Sequence, residues 1–274
     1  MNAQTIDTGT TDLLATLDAG VLTLTLNRPE ARNAMSGDMT AALAQQLAAA
    51  EFDSAVKCIV LTGAGKGFCA GGDVKGMASR SGPAGDSTID RAIHRQRVNQ
   101  RATAGKLFKM PKPTIAALPG AAAGAGLSLA LACDLRIMAS NAILTTAFAR
   151  VGFSGDYGGS YFLTQLIGSA KARELYFLSD RVSADEALRL GLANWVCAPE
   201  ELVAKTREIA GRLASGPTVA LRYMKENLNR AMGGDVDDCL DLEATHHVHC
   251  GLTEDHREAS KAFVEKREPV FNGR

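Results

Sequence analysis

Cys58-Ile59-Val60-Leu61, followed by Gly63-Ala64-Gly65-Lys66-Gly67-Phe68-Cys69-Ala70-Gly71-Gly72-Asp73-Val74-Lys75, is the stretch that decides the fold. The apolar run reads as a buried strand, and the glycines after it form a turn whose bare backbone can approach a ligand closely. Backbone N–H groups in such a turn can hold an anion, or an oxygen that becomes one during reaction. The arrangement recurs further along. Thr114-Ile115-Ala116-Ala117-Leu118 reads as a second strand and Pro119-Gly120-Ala121-Ala122-Ala123-Gly124-Ala125-Gly126 as a second small-residue turn. One donor from each turn would make an oxyanion hole.

Outward from these two turns the chain alternates strands and helices, which indicates an α/β fold. Val21-Leu22-Thr23-Leu24-Thr25-Leu26 alternates with period two as a strand does, and Asn27-Arg28-Pro29-Glu30 ends it. Ser36 is placed to cap a helix carrying Leu43, Leu47 and Ala50. Residues 77–90 read as a mobile loop, 91–110 as a helix and 113–118 as a strand. Gly124 to Cys133 reads as a buried helix and Leu135-Arg136-Ile137-Met138 as another strand. Ser183-Ala184-Asp185-Glu186 is a capping box and Gly191 closes its helix. Three more helices are expected over 217–232, 235–249 and 254–266. The expected division is an α/β core over 1–200 and a helical region over 201–274.

The chain has 274 residues, 30 Lys+Arg against 30 Asp+Glu, and 46% hydrophobic residues. That balance argues against a nucleic-acid partner. No stretch reaches the roughly 18 consecutive apolar residues of a membrane span. The first residues lack the basic and apolar regions of a signal peptide. Six scattered cysteines with no Cys-x-x-Cys suit reduced thiols and a cytoplasmic protein.

Three patterns invite other chemistry. Gly124-x-Gly126 lacks the third glycine and the acidic residue of a dinucleotide site. Gly63-Ala64-Gly65-Lys66-Gly67 lacks the hydroxyl residue of a phosphate loop. His246-His247-Val248-His249-Cys250 points its side chains in different directions on a helix, so a polar face is favoured over a metal site. Asp156, among the glycines of Phe153-Ser154-Gly155-Asp156-Tyr157-Gly158-Gly159-Ser160, reads either as a turn residue or cap or as a catalytic carboxylate.

Taken together, the segments resemble the crotonase superfamily, the enoyl-CoA hydratase/isomerase family. The resemblance runs nearly end to end: Leu26-Asn27-Arg28-Pro29-Glu30 with Asn33-Ala34, Gly67 to Val74, Lys112-Pro113-Thr114, the Gly124-to-Asp134 helix, Gly158-Gly159, Ala184-x-Glu186-Ala187 and Phe263-Val264-Glu265-Lys266-Arg267. It implies a spiral of ββα units with a C-terminal helical trimerisation region, a homotrimer or a dimer of trimers, and an acyl-CoA thioester as substrate with no separate cofactor. It places the thioester oxygen between the amides of Gly72 and Ala125. Arg32, Ala34, Ala70, Asp73 and Val74 would lie along the CoA, and Phe263 and Lys266 would reach it from the tail, in some members from a neighbouring subunit.

The resemblance also marks a departure. The two glutamates that serve hydratases would stand at Ser128 and Phe148, so neither is present. Adding water needs a base for the water and an acid for carbon. Asp156 matches a third position at which several members carry a catalytic aspartate. One carboxylate can remove a proton and return it elsewhere, which implies double-bond isomerisation with Asp156 as base. A hydratase or lyase using Asp156, and a non-catalytic acyl-CoA-binding protein, remain as alternatives. Phe148, Phe153, Tyr157 and Phe162 line either an acyl pocket or the core, and burial among the first three would raise the pKa of Asp156.

Overall fold

Strands β1 (Gln4–Ile6), β2 (Leu13–Asp18) and β3 (Val21–Leu26) form an antiparallel meander in the computed structural model, which describes residues 3–73 and 88–274. In β3 the three leucines are almost fully buried and the residues between them half-buried, as the alternation dictates. Helix α1 (Gly37–Phe52) follows, and the Ser36 hydroxyl accepts the Met39 amide as its cap.

From there one unit repeats three times: a strand in a large sheet, a three-residue strand in a small sheet, then helix. The first turn is β4 (Cys58–Gly63), β5 (Gly67–Cys69), then α2 (Ile89–Ala102) and α3 (Ala104–Lys109). The second is β6 (Thr114–Leu118), β7 (Ala121–Ala123) and α4 (Ala125–Ala132). The third is β8 (Leu135–Ala139), β9 (Ile143–Thr145) and α5 (Gly159–Leu178), which is interrupted at Gly168. Then come β10 (Val182–Ser183), α6 (Ala184–Arg189), β11 (Trp195–Cys197) and α7 (Leu202–Ala214). The large sheet has the order β1-β2-β3-β4-β6-β8-β11, parallel from β3 onward, and the small one β10-β9-β7-β5. This is the expected ββα spiral.

Three details differ from the sequence reading. The helix expected over 91–110 is two helices, because Thr103 leaves helical geometry at φ −114°, ψ −87°. Residues 89 and 90, expected in a loop, are helical, and the Thr88 hydroxyl caps them through Arg91 N; residues 77–87 of that loop lie outside the described residues. Helix α7, beyond the boundary expected near 200, packs on β3, β4, β6 and β8 and buries Ile209 and Ala210 in the core. The three helices that leave the sheet are α8 (Thr218–Ala231), α9 (Val236–Gly251) and α10 (Glu254–Glu265). Lys225 moors α8 to the core: its ammonium donates to Asp134 Oδ2 at 2.8 Å and to the Leu107 carbonyl at 3.0 Å.

The described cysteines are all free. Burial pushes the Cys58, Cys69 and Cys133 thiols up to about 12, so they stay protonated. No helix among the described residues is long and apolar enough to cross a membrane.

Candidate active site

The two glycine turns meet where successive turns of the spiral touch. Gly71 has φ +91°, a conformation suited to glycine, and a Cβ on it would lie 2.8 Å from the Ala123 carbonyl and 3.3 Å from the Ala125 amide. A Cβ on Gly126 would lie 2.4 Å from the Cys69 carbonyl and 2.8 Å from its sulfur. Missing side chains therefore let β5 and the start of α4 touch. Ala125 is the first residue of α4, so its amide has no partner within the helix and carries the positive end of the helix dipole.

Residues 28–36 run alongside this junction. Met35 N donates to the Gly71 carbonyl at 2.8 Å and Ala70 N to the Arg32 carbonyl at 3.0 Å. Asn33, fully buried, is the hub: its Nδ2 donates to the carbonyls of Ala64 and Gly67, both at 2.9 Å, and its Oδ1 accepts from Arg28 N. The Arg28 guanidinium donates to the Ala34 carbonyl and pairs with Asp73 at 3.4 Å. Asn33→Ala would leave two carbonyls and an amide without these partners, and should cost about 2–4 kcal/mol in denaturant unfolding.

A groove of about 430 Å³ opens beside the first turn, bordered by Arg32, Lys66, Ala70, Ala123, Thr145 and Arg181. Three cations at its edge suit a ligand with phosphates. Lys66 and Arg181 escaped the sequence reading. Arg181 lies in the short link between α5 and β10, where nothing local marks it as more than a surface charge.

On the other side of the junction stands the carboxylate. Asp156 precedes α5, and its carbonyl accepts the Gly159 amide in a turn. Its side chain is not a cap: Oδ1 is buried and has no hydrogen-bond partner. Burial pushes this carboxyl up to about 6. The segment is held by Tyr157, whose backbone amide donates to Gln100 Oε1 on α2 at 2.6 Å.

The positions matched to the missing glutamates are occupied by other groups. Ser128 is buried and bonds back to the Gly124 carbonyl at 3.2 Å. The Phe148 ring would lie 3.6 Å from a Cβ on Gly124, and it stacks on Tyr176 with 5.7 Å between centroids. Of the four aromatic residues expected around an acyl pocket, Phe148 stands at the junction. Tyr157 and Phe162 belong to the core cluster, and Phe162 packs on Phe108. Phe153 is 57% exposed and stands outside the core cluster.

The structure thus brings Arg32, Ala34, Ala70, Gly72, Asp73, Ala125, Phe148 and Asp156 around one junction. Val74 lies outside the described residues. Phe263 is 85% exposed on α10 and Lys266 ends that helix in left-handed geometry, both away from the groove lining. His246 stacks on Tyr223 at 4.1 Å and its Nδ1 meets Asn227 Oδ1, so its surroundings are those of a packed side chain.

The enoyl-CoA hydratase/isomerase family model matches residues 16–274. The 1,2-epoxyphenylacetyl-CoA isomerase of Escherichia coli is 38% identical over 265 residues, covering 96% of this chain and 98% of that protein. The short-chain-enoyl-CoA hydratase of Clostridium acetobutylicum is 37% identical over 248 residues, covering 90% and 92%. A crystal structure of an enoyl-CoA hydratase from a Polaromonas species superimposes with a TM-score of 0.88 at 34% identity, covering 95% of this chain and 99% of that one. The chain belongs to the enoyl-CoA hydratase/isomerase family and is an acyl-CoA-processing enzyme of that kind.

Proposed function

We propose that this enzyme moves a double bond within an enoyl-CoA thioester, with Asp156 as the single shuttling base. Asp156 takes a proton from the α-carbon of a 3-enoyl-CoA. The electron pair spreads over a dienolate whose oxygen accepts from the Gly72 and Ala125 amides, and the proton returns to the γ-carbon, giving the conjugated 2-enoyl-CoA. One such donor is worth about 3 kcal/mol of barrier. The observation that carries the reading is the buried, unpartnered Asp156 oxygen at the edge of the glycine junction, on a carboxyl whose pKa of about 6 suits a base near neutrality. The 1,2-epoxyphenylacetyl-CoA isomerase among the relatives supports isomerisation over hydration, its own substrate being an epoxide.

The groove beside Ala70 would take the CoA phosphates against Arg32, Lys66 and Arg181. Arg181→Ala should then raise KM for any acyl-CoA by roughly three- to tenfold with kcat unchanged, since a distant cation binds ground and transition states alike. Exposed apolar residues on α8 to α10, among them Leu228, Leu240, Val248 and Phe263, support assembly into a homotrimer or a dimer of trimers. Light scattering would then give three or six times the 28.8 kDa of one chain.

Hydratase-named relatives favour a second reading, in which Asp156 activates water. A trans-3-enoyl-CoA and a trans-2-enoyl-CoA offered separately distinguish the two. A rise in conjugated-thioester absorbance with the first and no fall with the second is expected; a fall with the second makes the enzyme a hydratase.

A further inference from the structure

The Gly71 carbonyl and the Gly72 amide belong to one peptide unit, which is planar and trans, so they point in opposite directions. That carbonyl accepts the Met35 amide at 2.8 Å, and Met35 pairs with Gly72 as a parallel bridge. Residues 28–36 therefore fix where the Gly72 N–H points, which is away from them. A carbonyl that already accepts a hydrogen bond also polarises the N–H of its own peptide and strengthens it as a donor. The Ala125 amide lies 3.3 Å from a Cβ built on Gly71, so both donors of the junction adjoin that residue.

What fixes residues 28–36 is Asn33. Arg32 and Asn33 have φ +53° and +55°, two successive left-handed residues other than glycine. Such a pair persists only where its surroundings hold it. Here the Asn33 amide donates to the Arg28 carbonyl at 2.8 Å, and the Asn33 side-chain oxygen accepts the Arg28 amide at 2.9 Å, closing a loop. Its Nδ2 spans the Ala64 and Gly67 carbonyls at the entry to β5. Past β5, the Arg32 carbonyl accepts the Ala70 amide and the Met35 amide reaches Gly71. One buried side chain thus sets both ends of β5 against the same run of residues. It needs two donors and an acceptor on a short side chain; aspartate cannot donate, and serine has a single donor. We infer that Asn33 is a positioning residue that aims the Gly72 amide at the thioester oxygen, acting through Met35. The inference rests on the reading of Gly72 and Ala125 as oxyanion donors, but not on which reaction follows.

Acetoacetyl-CoA tests this. When its α-carbon gives a proton to the buffer it becomes an enolate, which absorbs strongly in the near ultraviolet where the neutral form absorbs little. The ratio of enolate to neutral ligand would be read at pH 7 in the full-length protein, in Asn33→Ala and in Asn33→Asp. A core truncation in α7, Ile209→Ala, serves as a destabilised control. Protein is added until the spectrum stops changing, so weaker CoA binding does not enter the ratio. The wild type should hold the ratio above that of free ligand. Both Asn33 variants should lower it at least about tenfold, part of the roughly 10²–10³-fold that a lost donor costs. Ile209→Ala should leave it within about twofold of wild type. A ratio kept in the Asn33 variants overturns the inference, and so does an equal loss in Ile209→Ala. A wild type that leaves the ratio at its free value overturns the oxyanion reading instead, and the inference with it. Asn33→Asp keeps the size of the side chain and the acceptor for Arg28, so it carries the test where Asn33→Ala does not fold.

Discussion

Asp156→Asn lowers kcat for isomerisation of a trans-3-enoyl-CoA by about 10²–10⁴-fold and moves KM little. Asparagine keeps the shape but cannot take a proton from carbon. The wild-type pH profile should carry the signature of the same group. With its carboxyl held up to about 6, Asp156 is an acid below that pH and a base above it. kcat/KM should therefore rise about tenfold per pH unit below 6 and level off above 7. Stability should move the opposite way. The native carboxyl titrates near 6 and the unfolded one near 3.8, so the native state holds its proton longer as pH rises. Stability is lost between those two values, and the loss is complete above 6. Asp156→Asn escapes it. The variant should be more stable than wild type by on the order of 1–2 kcal/mol at pH 8, with the gain gone near pH 3.5. Denaturant melts at the two pH values measure this. A variant that lost activity together with stability at pH 8 would point to a structural role instead.

Gly126→Ala should be among the most damaging glycine substitutions at the described positions. It would place a carbon 2.4 Å from the Cys69 carbonyl, 2.6 Å from the Cys69 Cβ and 2.8 Å from its sulfur. Cys69 lies in β5 and is fully buried, and all of α4 is buried, so neither side has room to give. Relief requires β5 and α4 to separate. We expect a loss of at least about 3 kcal/mol of stability. In the protein that still folds, kcat/KM should drop about 10²–10³-fold, because the Ala125 amide moves with the helix start. An active Gly126→Ala enzyme of normal stability would show that the donors do not depend on this contact.

Although β1, β2 and β11 were not read as strands, four strands of the large sheet, β3, β4, β6 and β8, were legible because they are largely apolar runs of five or six residues, as in Cys58–Gly63 and Thr114–Leu118. The small sheet was not. Gly67–Cys69, Ala121–Ala123 and Ile143–Thr145 are three residues each, too short to show a period, and Ala121–Ala123 is all alanine, which equally suits a turn. The glycine junction stood out in the sequence because two runs of small residues each follow an apolar strand. Asp156 was visible only by its matched position, since a lone aspartate among glycines is ordinary turn chemistry. Tyr176 was invisible: within Glu174-Leu175-Tyr176-Phe177-Leu178 it reads as one more apolar helix residue, and only the fold shows its ring stacked on Phe148.

The hydrogen bond from Tyr157 N to Gln100 has a mechanical consequence. Tyr157 has φ +48°, and its amide is pinned at 2.6 Å to a side chain on α2, in the first turn of the spiral, two turns earlier. The base is thus geared to a helix that carries none of the chemistry. A substitution along α2 that moves Gln100 should therefore shift the Tyr157 amide, and with it the segment that carries the carboxylate. Proton transfer then depends on residues that touch neither substrate nor base.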